Sequence, residues 1–379
     1  MLNGHPTDEA LHEAAGQMLL VGFHGTQAPP DTIRAALTTG TIGGVILFRR
    51  NIEPGVEGLW TLARLNAQLG ACRPDNGPPP FIAVDQEGGR VMRVRDGVTP
   101  LPPMGKVGAT GDRALVAQVG EVIAAEIGAL GFNLNFAPVL DLFTNPDNTV
   151  IGDRALGRDP AVVAELAGAL TVGHYMAGVV PCGKHFPGHG DTVADSHHEL
   201  PVVLHGPERL EAVELIPFAR AVASGIPMIM TAHILVPALD ALHPMTLSQV
   251  GLQRLLRSEM GFDGVVITDD LEMKAVADRY SIEEMVELGL GAGVDIFLIC
   301  HTEALWKRAY AHIIALGREH EAMRERILRS AERVRQVKER YVPKTPYTSP
   351  TSLEALRAEL ATPEHVAVMK AIEAFEEVE

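Results

Sequence analysis

Residues 184–201 read KHFPGHGDTVADSHHELP and bring four histidines, three carboxylates and a lysine into one short segment. A solvated turn requires neither imidazoles nor a lysine. Loops with this density of ionisable side chains are typical of functional sites that a rigid scaffold holds in place. The glycines and the proline of FPGHG are turn-forming residues, so the segment is predicted to be a loop after a short apolar stretch. We therefore expect chemistry at this loop.

Charged residues also follow other apolar stretches. The segment VDQEGGRVMR places charges on both sides of a Gly88-Gly89 turn, at Asp85, Glu87, Arg90 and Arg93. These side chains form either a structural salt-bridge cluster or a substrate clamp, and the sequence favours neither. A second charged loop, DLFTNPDNTVIGDRALGRDP, contains Asp141, Asp153, Arg154 and Arg158. Several charged loops are thus predicted to converge on one site.

Two adjacent acids, Asp269 and Asp270, end the apolar stretch of GVVITDDLEM. A pair of carboxylates in that position is costly unless it is exposed or used. Strand alternation sends the two side chains to opposite sides, but the preceding residues are apolar on both faces, so the pattern does not select one acid. His233, in MTAHI, is interpreted by itself as a satisfied histidine near the core.

The elements that must position these groups are apolar runs rich in Val, Ile and Leu, without polar alternation, as in parallel strands buried on both faces. Helical patterns separate them. Repeated strand and helix without G-x-G-x-x-G after the first strand favour the α/β class, and within it a single-domain (β/α)8 TIM-type barrel. The eight predicted strands are Met18–Phe23, Ile42–Phe48, Phe81–Val84, Phe132–Leu140, Val179–Lys184, Met228–Ala232, Gly264–Thr268 and Val294–Ile299.

Helix signals support this alternation. Residues 112–130 keep a 3.6-residue apolar period and stop at Gly131, and Ser281 with Glu284 forms a capping box. Helical sequence over 303–341 would close the barrel, giving a catalytic domain at 1–341. Residues 342–379 then form a linker with three prolines and an acidic helical tail. Packing on the barrel is the favoured role of this tail, with a dimer contact or a partly disordered end as alternatives.

Composition limits the partners. The chain of 379 residues is 46% hydrophobic with a net charge of -16, which disfavours nucleic acid and anionic membranes and leaves a neutral or cationic small molecule. Its three cysteines are widely spaced, so we expect buried thiols and neither a disulfide framework nor a zinc knuckle. The N-terminal segment lacks a signal-peptide pattern, and no run of about 18 apolar residues occurs. A cytoplasmic protein is predicted; the oligomeric state is left open.

The motifs VDQEGGRVMR, VIGDR, KHFPGHGDTVADSHHELP and GVVITDDLEM, in this order, resemble the barrel domain of glycoside hydrolase family 3 over residues 8–340, in particular its single-domain NagZ-type β-N-acetylglucosaminidases. The resemblance implies that Asp269 is the nucleophile, His197 the acid/base and Asp195 the carboxylate that orients this histidine. It also implies no cofactor and no metal. The residues that it assigns to sugar binding are Asp85, Arg93, Arg154, Lys184 and His185.

The chemistry of these residue types agrees with the resemblance. A retaining hydrolase needs one carboxylate that attacks the anomeric carbon and a separate proton donor for the leaving oxygen. A histidine can donate that proton and later accept one from water near neutral pH. Asp195, two residues from His197, can accept a hydrogen bond from one ring nitrogen and favour the charged imidazole. The resemblance therefore predicts an exo-acting retaining β-N-acetylhexosaminidase that releases N-acetylglucosamine, with peptidoglycan fragments as its source.

Other functions stay open at this point. The histidines and acids of the 184–201 segment include good zinc ligands, as in a metal-dependent amidohydrolase, but the first strand ends in GFHG and offers no H-x-H. A phosphorylase of the same family fits as well, because a histidine acid does not repel phosphate. Another β-glycosidase is compatible too. A non-catalytic sugar-binding barrel would be expected to lose Asp269 or His197, and both are present.

Overall fold

The computed structural model describes residues 8–75, 77–192 and 199–375. Within these ranges eight parallel strands form one sheet that curls into a barrel in the order β10-β1-β2-β3-β6-β7-β8-β9. A parallel bridge between Ile267 and Ile296 joins its two ends. The predicted (β/α)8 barrel and all eight predicted strands are confirmed. The strand bounds are β1 Leu19–Gly22, β2 Gly44–Leu47, β3 Phe81–Val84, β4 Gln86–Gly88, β5 Val91–Met92, β6 Leu134–Asn135, β7 Val180–Phe186, β8 Met228–Thr231, β9 Val265–Ile267 and β10 Phe297–Ile299.

Two details differ from the predicted strands. The run predicted over Phe132–Leu140 pairs regularly only at Leu134–Asn135 and again at a bridge between Val139 and Lys184. The interruption follows from Pro138, which has no N–H to donate. The second difference is the antiparallel hairpin β4–β5, which follows β3. Its turn contains Gly88 and Gly89 with φ of 121° and 53°, values that residues with a Cβ rarely adopt.

Alternate strand residues face two cores. In β1, Leu20 packs inside the barrel, while Leu19 and Val21 pack between the sheet and the helices. The same alternation in β9 directs Val265 and Ile267 inward. Both faces are therefore buried, which explains the apolar runs.

Helices cover the outside of the barrel and its N-terminal end. The predicted helix at 112–130 begins with the Asp112 carboxylate accepting the N–H groups of Ala114 and Leu115, and the capping box at Ser281 is present. The helix bounds are α1 Asp8–Gln17, α2 Asp31–Thr38, α3 Val56–Ala71, α4 Met104–Ala109, α5 Arg113–Ala129, α6 Pro160–Met176, α7 Pro207–Ala212, α8 Ile216–Ala223, α9 Lys274–Ala277, α10 Ile282–Ala292, α11 Glu303–Glu319, α12 Glu321–Tyr341, α13 Leu353–Arg357 and α14 Pro363–Glu373. A wider helix lies at Val250–Glu259, and single helical turns lie at Arg49–Asn51, Gly152–Arg154 and Met245–Leu247.

The segment after α12 lies against the outside of the barrel. The Tyr347 hydroxyl donates to the carbonyl of Ala129 at 2.6 Å. The buried carboxylate of Glu126 in α5 accepts the N–H of Ala361 at 2.7 Å and lies 2.9 Å from His365 Nδ1. Apolar side chains of α13 and α14, including Leu356, are buried. In the structure the tail packs on the barrel, which is the role that the sequence favoured. A domain boundary at 341 stays a prediction.

Cys182 and Cys300 are buried free thiols, as expected, but Cys72 is only half-buried because it caps the end of α3. Within the described ranges, no helix combines the length and apolarity needed to cross a membrane.

Candidate active site

A cavity of about 330 Å³ opens at the carboxyl ends of the barrel strands. This is the end at which (β/α)8 barrels carry their functional loops. The cavity brings together six of the eight residues that the sequence predicts for the site: Asp85, Arg93, Arg154, Lys184, His185 and Asp269. The other two, Asp195 and His197, lie outside the residues that the structure describes.

Asp85 is held between two cations at the end of β3. Its Oδ2 accepts from the Arg93 guanidinium at 2.9 Å, and its Oδ1 accepts from Lys184 Nζ at 2.9 Å. Burial by itself would raise the pKa of Asp85, but the charges of Lys184 and Arg93 hold it far below its usual range. The carboxylate is therefore ionised at neutral pH. It lines the cavity, and each of its oxygens has a further lone pair that a ligand hydroxyl or amide could use.

Glu87 makes the second half of this cluster, deeper in the protein. Arg154 donates two parallel hydrogen bonds of 2.8 Å to the two Glu87 oxygens, and Lys184 Nζ lies 2.5 Å from Oε1. Burial opposes ionisation, yet Arg154 and Lys184 lower the pKa of Glu87 to about 2. Against the same burial, Asp85 and Glu87 raise the pKa of Lys184. Asp85 and Glu87 thus belong to a buried salt-bridge cluster, the first of the two alternatives that the sequence left open, and this cluster lines the cavity. The substrate clamp stays a prediction.

His185 is the second-last residue of β7 and is oriented by Asp141. The His185 ring donates from Nδ1 to the buried Asp141 carboxylate at 2.6 Å, and the backbone N–H of His189 donates to the same carboxylate at 2.7 Å. Burial opposes the charge of Asp141, but these two histidines lower its pKa. His185 Nε2 then faces the cavity, 3.5 Å from Arg154. Asp141 is a site residue that the sequence placed in a loop without a role; a carboxylate just after an apolar run was the available signal.

Asp269 and Asp270 both line the cavity, but their surroundings differ. Asp269 follows the inward-facing Ile267 by two residues, so its side chain takes the inner side of the barrel. Its Oδ1 accepts the backbone N–H of Asp270 at 2.8 Å. The Asp270 carboxylate instead accepts the backbone N–H groups of Glu272 and Cys300 at 3.1 and 3.2 Å. Among the described residues, no cation is within salt-bridge distance of Asp269, whereas Asp85, Glu87 and Asp141 each have a cationic or histidine partner.

Comparisons with known proteins identify the family of this chain. Residues 10–337 match the model described as the glycosyl hydrolase family 3 N terminal domain. The chain belongs to glycoside hydrolase family 3. A β-hexosaminidase of Nitrosomonas eutropha is 44% identical over 289 residues, which are 75% of this chain and 80% of that protein. The chain is accordingly a glycoside hydrolase of the β-hexosaminidase group.

Solved structures of family 3 members superpose closely. A β-N-acetylglucosaminidase from Paenibacillus sp. str. FPU-7 has a TM-score of 0.88 at 39% identity, covering 96% of this chain and 68% of that one. NagZ from Neisseria gonorrhoeae in complex with N-trifluoroacetyl-D-glucosamine has a TM-score of 0.73 at 32% identity, with 94% and 96% covered. The NagZ-type resemblance of the motifs is confirmed. The roles of single residues stay predictions.

A rim that the sequence did not predict completes the cavity of this family 3 enzyme. Phe48 and His301 stack at 5.7 Å between ring centroids, and Arg50 lies over the Phe48 ring at 4.4 Å. The His301 ring lies 3.3 Å from the Asp270 carboxylate, and that hydrogen bond raises the pKa of His301. These residues come from the ends of β2, β9 and β10, which are distant in sequence, so no local motif indicated them.

The prediction of no metal concerns the His, Cys, Asp and Glu side chains around the cavity. Within residues 8–75, 77–192 and 199–375, no group of three or more His, Cys, Asp or Glu side chains suits a metal ion. Burial and the charge of His185 lower the pKa of His189 to about 4, and its Nδ1 lies 2.7 Å from the Thr192 hydroxyl. His189 is therefore a neutral ring at neutral pH. The absence of a metal or cofactor stays a prediction.

Proposed function

We propose that this enzyme is a retaining exo-β-N-acetylhexosaminidase that releases terminal N-acetylglucosamine from peptidoglycan fragments. The observation that carries the proposal is the position of Asp269 and the partners of its carboxylate. Its carboxylate lines the cavity at the end of β9, and within the described residues it accepts one backbone N–H and pairs with no cation. A carboxylate that no cation neutralises is suited to attack an anomeric carbon.

The first step of the proposed reaction is attack by Asp269. One carboxylate oxygen forms a bond to the anomeric carbon while the bond to the leaving oxygen breaks, which gives a glycosyl-enzyme with inverted configuration. Asp269 Oδ1 keeps the hydrogen bond from the Asp270 N–H, so the other oxygen is the attacking atom. Water then attacks the same carbon and restores the β configuration.

Proton transfer is assigned to His197, with Asp195 as the carboxylate that orients it. His197 donates a proton to the leaving oxygen in the first step and accepts one from water in the second. This assignment rests on the D-S-H spacing and the family resemblance. In the described part of the cavity the other histidines already have partners: His185 donates to Asp141, His189 lies against the Thr192 hydroxyl, and His301 lies against the Asp270 carboxylate.

The sugar is proposed to bind against the charged wall opposite Asp269. Asp85 supplies acceptors, Arg93, Arg154 and Lys184 supply donors for hydroxyl and acetamido oxygens, and His185 presents Nε2 to the sugar. The similar NagZ structure, which contains N-trifluoroacetyl-D-glucosamine, supports an N-acetylated sugar. Asp85 and Glu87 pair with Arg93, Arg154 and Lys184, so the wall is rigid and presents its donors and acceptors to the sugar in fixed positions. In this proposal the enzyme works in the cytoplasm on recycled cell-wall fragments.

A panel of p-nitrophenyl glycosides, assayed with and without inorganic phosphate, tests the proposal. We expect turnover of the β-N-acetylglucosaminide, with N-acetylglucosamine as product in both buffers and its β anomer formed first by NMR. Formation of the sugar 1-phosphate would identify a phosphorylase, and a preference for the β-glucoside would identify another β-glycosidase. No turnover of any glycoside would contradict the proposal. A disaccharide of N-acetylglucosamine β-linked to muramic acid then tests the source of the substrate.

A further inference from the structure

His233 lies at the end of β8, fully buried, and the sequence interprets it as a satisfied histidine near the core. Its two ring nitrogens are indeed both satisfied. Nε2 lies 2.9 Å from the backbone carbonyl oxygen of Asp270, and Nδ1 lies 2.8 Å from the Thr246 hydroxyl. The first of these partners is the residue that donates its N–H to Asp269.

The partners determine which nitrogen carries the proton. A carbonyl oxygen only accepts, so His233 Nε2 must be the donor. Burial lowers the pKa of His233, so the ring is neutral and Nδ1 presents a lone pair. The Thr246 hydroxyl has one proton and two acceptors within reach, the Ala232 carbonyl at 3.0 Å and Nδ1 at 2.8 Å. A neutral Nε2–H ring can only accept at Nδ1, so the contact with Nδ1 requires the hydroxyl proton there. Thr231 donates to the Thr246 oxygen at 2.9 Å. The chain of donors therefore runs from Thr231 through Thr246 and His233 to Asp270.

Asp270 is consequently held at three points. Its carbonyl accepts from His233, its carboxylate accepts from the backbone of Glu272 and Cys300, and its N–H is left to donate to Asp269. The same carbonyl also accepts the backbone N–H of Met273 at 3.0 Å, and the N–H of Leu271 donates to the carbonyl of Leu298 at 2.9 Å. The His233 side chain adds to these backbone contacts, and together they hold the Asp270 backbone, whose N–H donates to the Asp269 carboxylate.

We propose that His233 is a positioning residue for the nucleophile, acting through the Asp270 backbone. The inference rests on the proposed function, in which Asp269 attacks the sugar. His233 does not touch the cavity and transfers no proton. Its contribution is to keep the attacking oxygen of Asp269 within bonding distance of the anomeric carbon, where an error of about 1 Å can cost about 10²-fold in rate.

Two substitutions of His233 separate positioning from packing. A glutamine amide nitrogen reaches about as far as Nε2 and can donate to the Asp270 carbonyl, whereas an asparagine reaches only as far as Nδ1. We expect His233→Asn to lower kcat about 10²-fold with little change in KM, and His233→Gln to restore most of the loss. Thr246→Val, which removes only the donor to Nδ1, should lower kcat less. His365→Asn, in the tail outside the cavity, is the control with unchanged kcat.

The decisive readout is the rate at which a 5-fluoro glycosyl fluoride traps the glycosyl-enzyme, with the labelled peptide identified by mass spectrometry. We expect the label on Asp269, formed more slowly in His233→Asn than in His233→Gln. Equal rates for His233→Asn and the unmodified enzyme would overturn the positioning role. Equal losses of rate in His233→Asn and His233→Gln, in proportion to their lowered melting temperatures, would also overturn the positioning role. A label on another residue would instead refute the assignment of Asp269 and hence the proposed function.

NMR of the ¹⁵N-histidine-labelled enzyme tests the proton assignment independently of turnover. His233 is expected as the neutral Nε2–H form at neutral pH, with a pKa below the ordinary value of about 6.5 for a histidine. In Thr246→Val the Nδ1 signal should shift, because its donor is lost. A protonated ring or the Nδ1–H form in the unmodified enzyme would overturn the proposed chain of donors.

Discussion

Arg154 and Glu87 are joined by two parallel hydrogen bonds of 2.8 Å, although 67 residues separate them in the chain. Both side chains are nearly inaccessible to solvent, and Lys184 lies against the same carboxylate. Arg154 and Lys184 also line the proposed sugar site. The pair therefore connects the stability of the barrel to the shape of the cavity.

Glu87→Gln is expected to lower the free energy of unfolding at neutral pH by about 3–5 kcal/mol, because it leaves buried cations without their charge partner. Glu283→Gln, which breaks the exposed pair with Arg308, is the matched control and should cost about 0–1 kcal/mol. Urea titrations measure both. Equal losses in the two variants would show that burial does not strengthen the Glu87 cluster.

The same pair predicts a pH dependence of stability. The pKa of Glu87 is about 2 in the folded protein against an ordinary value of 4.5, so ionisation favours folding. This stabilisation is complete above pH 4.5 and is lost as the pH falls towards 2. Melting temperatures of the unmodified protein should therefore decrease more steeply across this window than those of Glu87→Gln. Parallel curves would contradict the lowered pKa.

Asp269→Ala is expected to abolish turnover, and added azide should restore it with an α-glycosyl azide as product from a β-substrate. Azide can occupy the space of the lost carboxylate and attack the opposite face of the sugar. Asp270→Ala should give no such product, because Asp270 contacts backbone amides of Glu272 and Cys300. NMR of the products distinguishes the two. The azide product from the Asp270 variant alone would reverse the assignment.

His197→Ala is expected to slow glycosides with poor leaving groups by about 10²–10⁴-fold and activated aryl glycosides much less, because only the former need a proton on the leaving oxygen. Asp195→Ala should show a weaker form of the same pattern. Values of kcat/KM across a series of leaving groups measure this. A uniform loss would mean that His197 binds the substrate and is not the acid.

Turnover is expected to survive exhaustive chelation, since the proposed mechanism assigns attack and proton transfer to side chains. The measurement is kcat/KM after dialysis against EDTA, with metal content determined by elemental analysis. Loss of activity that zinc or another divalent ion restores would favour the metal-dependent amidohydrolase.

Leu356→Ala tests the packing of the tail. Leu356 is fully buried in α13, and truncation of a buried leucine costs about 2–5 kcal/mol. The melting temperature should fall while kcat/KM is unchanged at a temperature where the variant is folded, because Leu356 does not line the cavity. A selective loss of activity would show that the tail acts on the site.

The sequence alone determined the eight-strand barrel, because parallel strands buried on both faces appear in the sequence as continuous apolar runs. It also placed the candidate chemistry at the carboxyl ends of those runs. Local signals also predicted the Gly88-Gly89 turn, the helix at 112–130 and the capping box at Ser281, since these depend on residues a few positions apart.

Only the tertiary structure decided which acids pair with cations and histidines among the described residues. Lys184 reaches Asp85 across 99 residues of chain, and His301 reaches Asp270 from the next strand of the barrel. Strand alternation made Asp269 and Asp270 equivalent candidates until the inward direction of Ile267 was known. Long-range pairing depends on barrel register and loop paths, which one-dimensional periodicity does not contain.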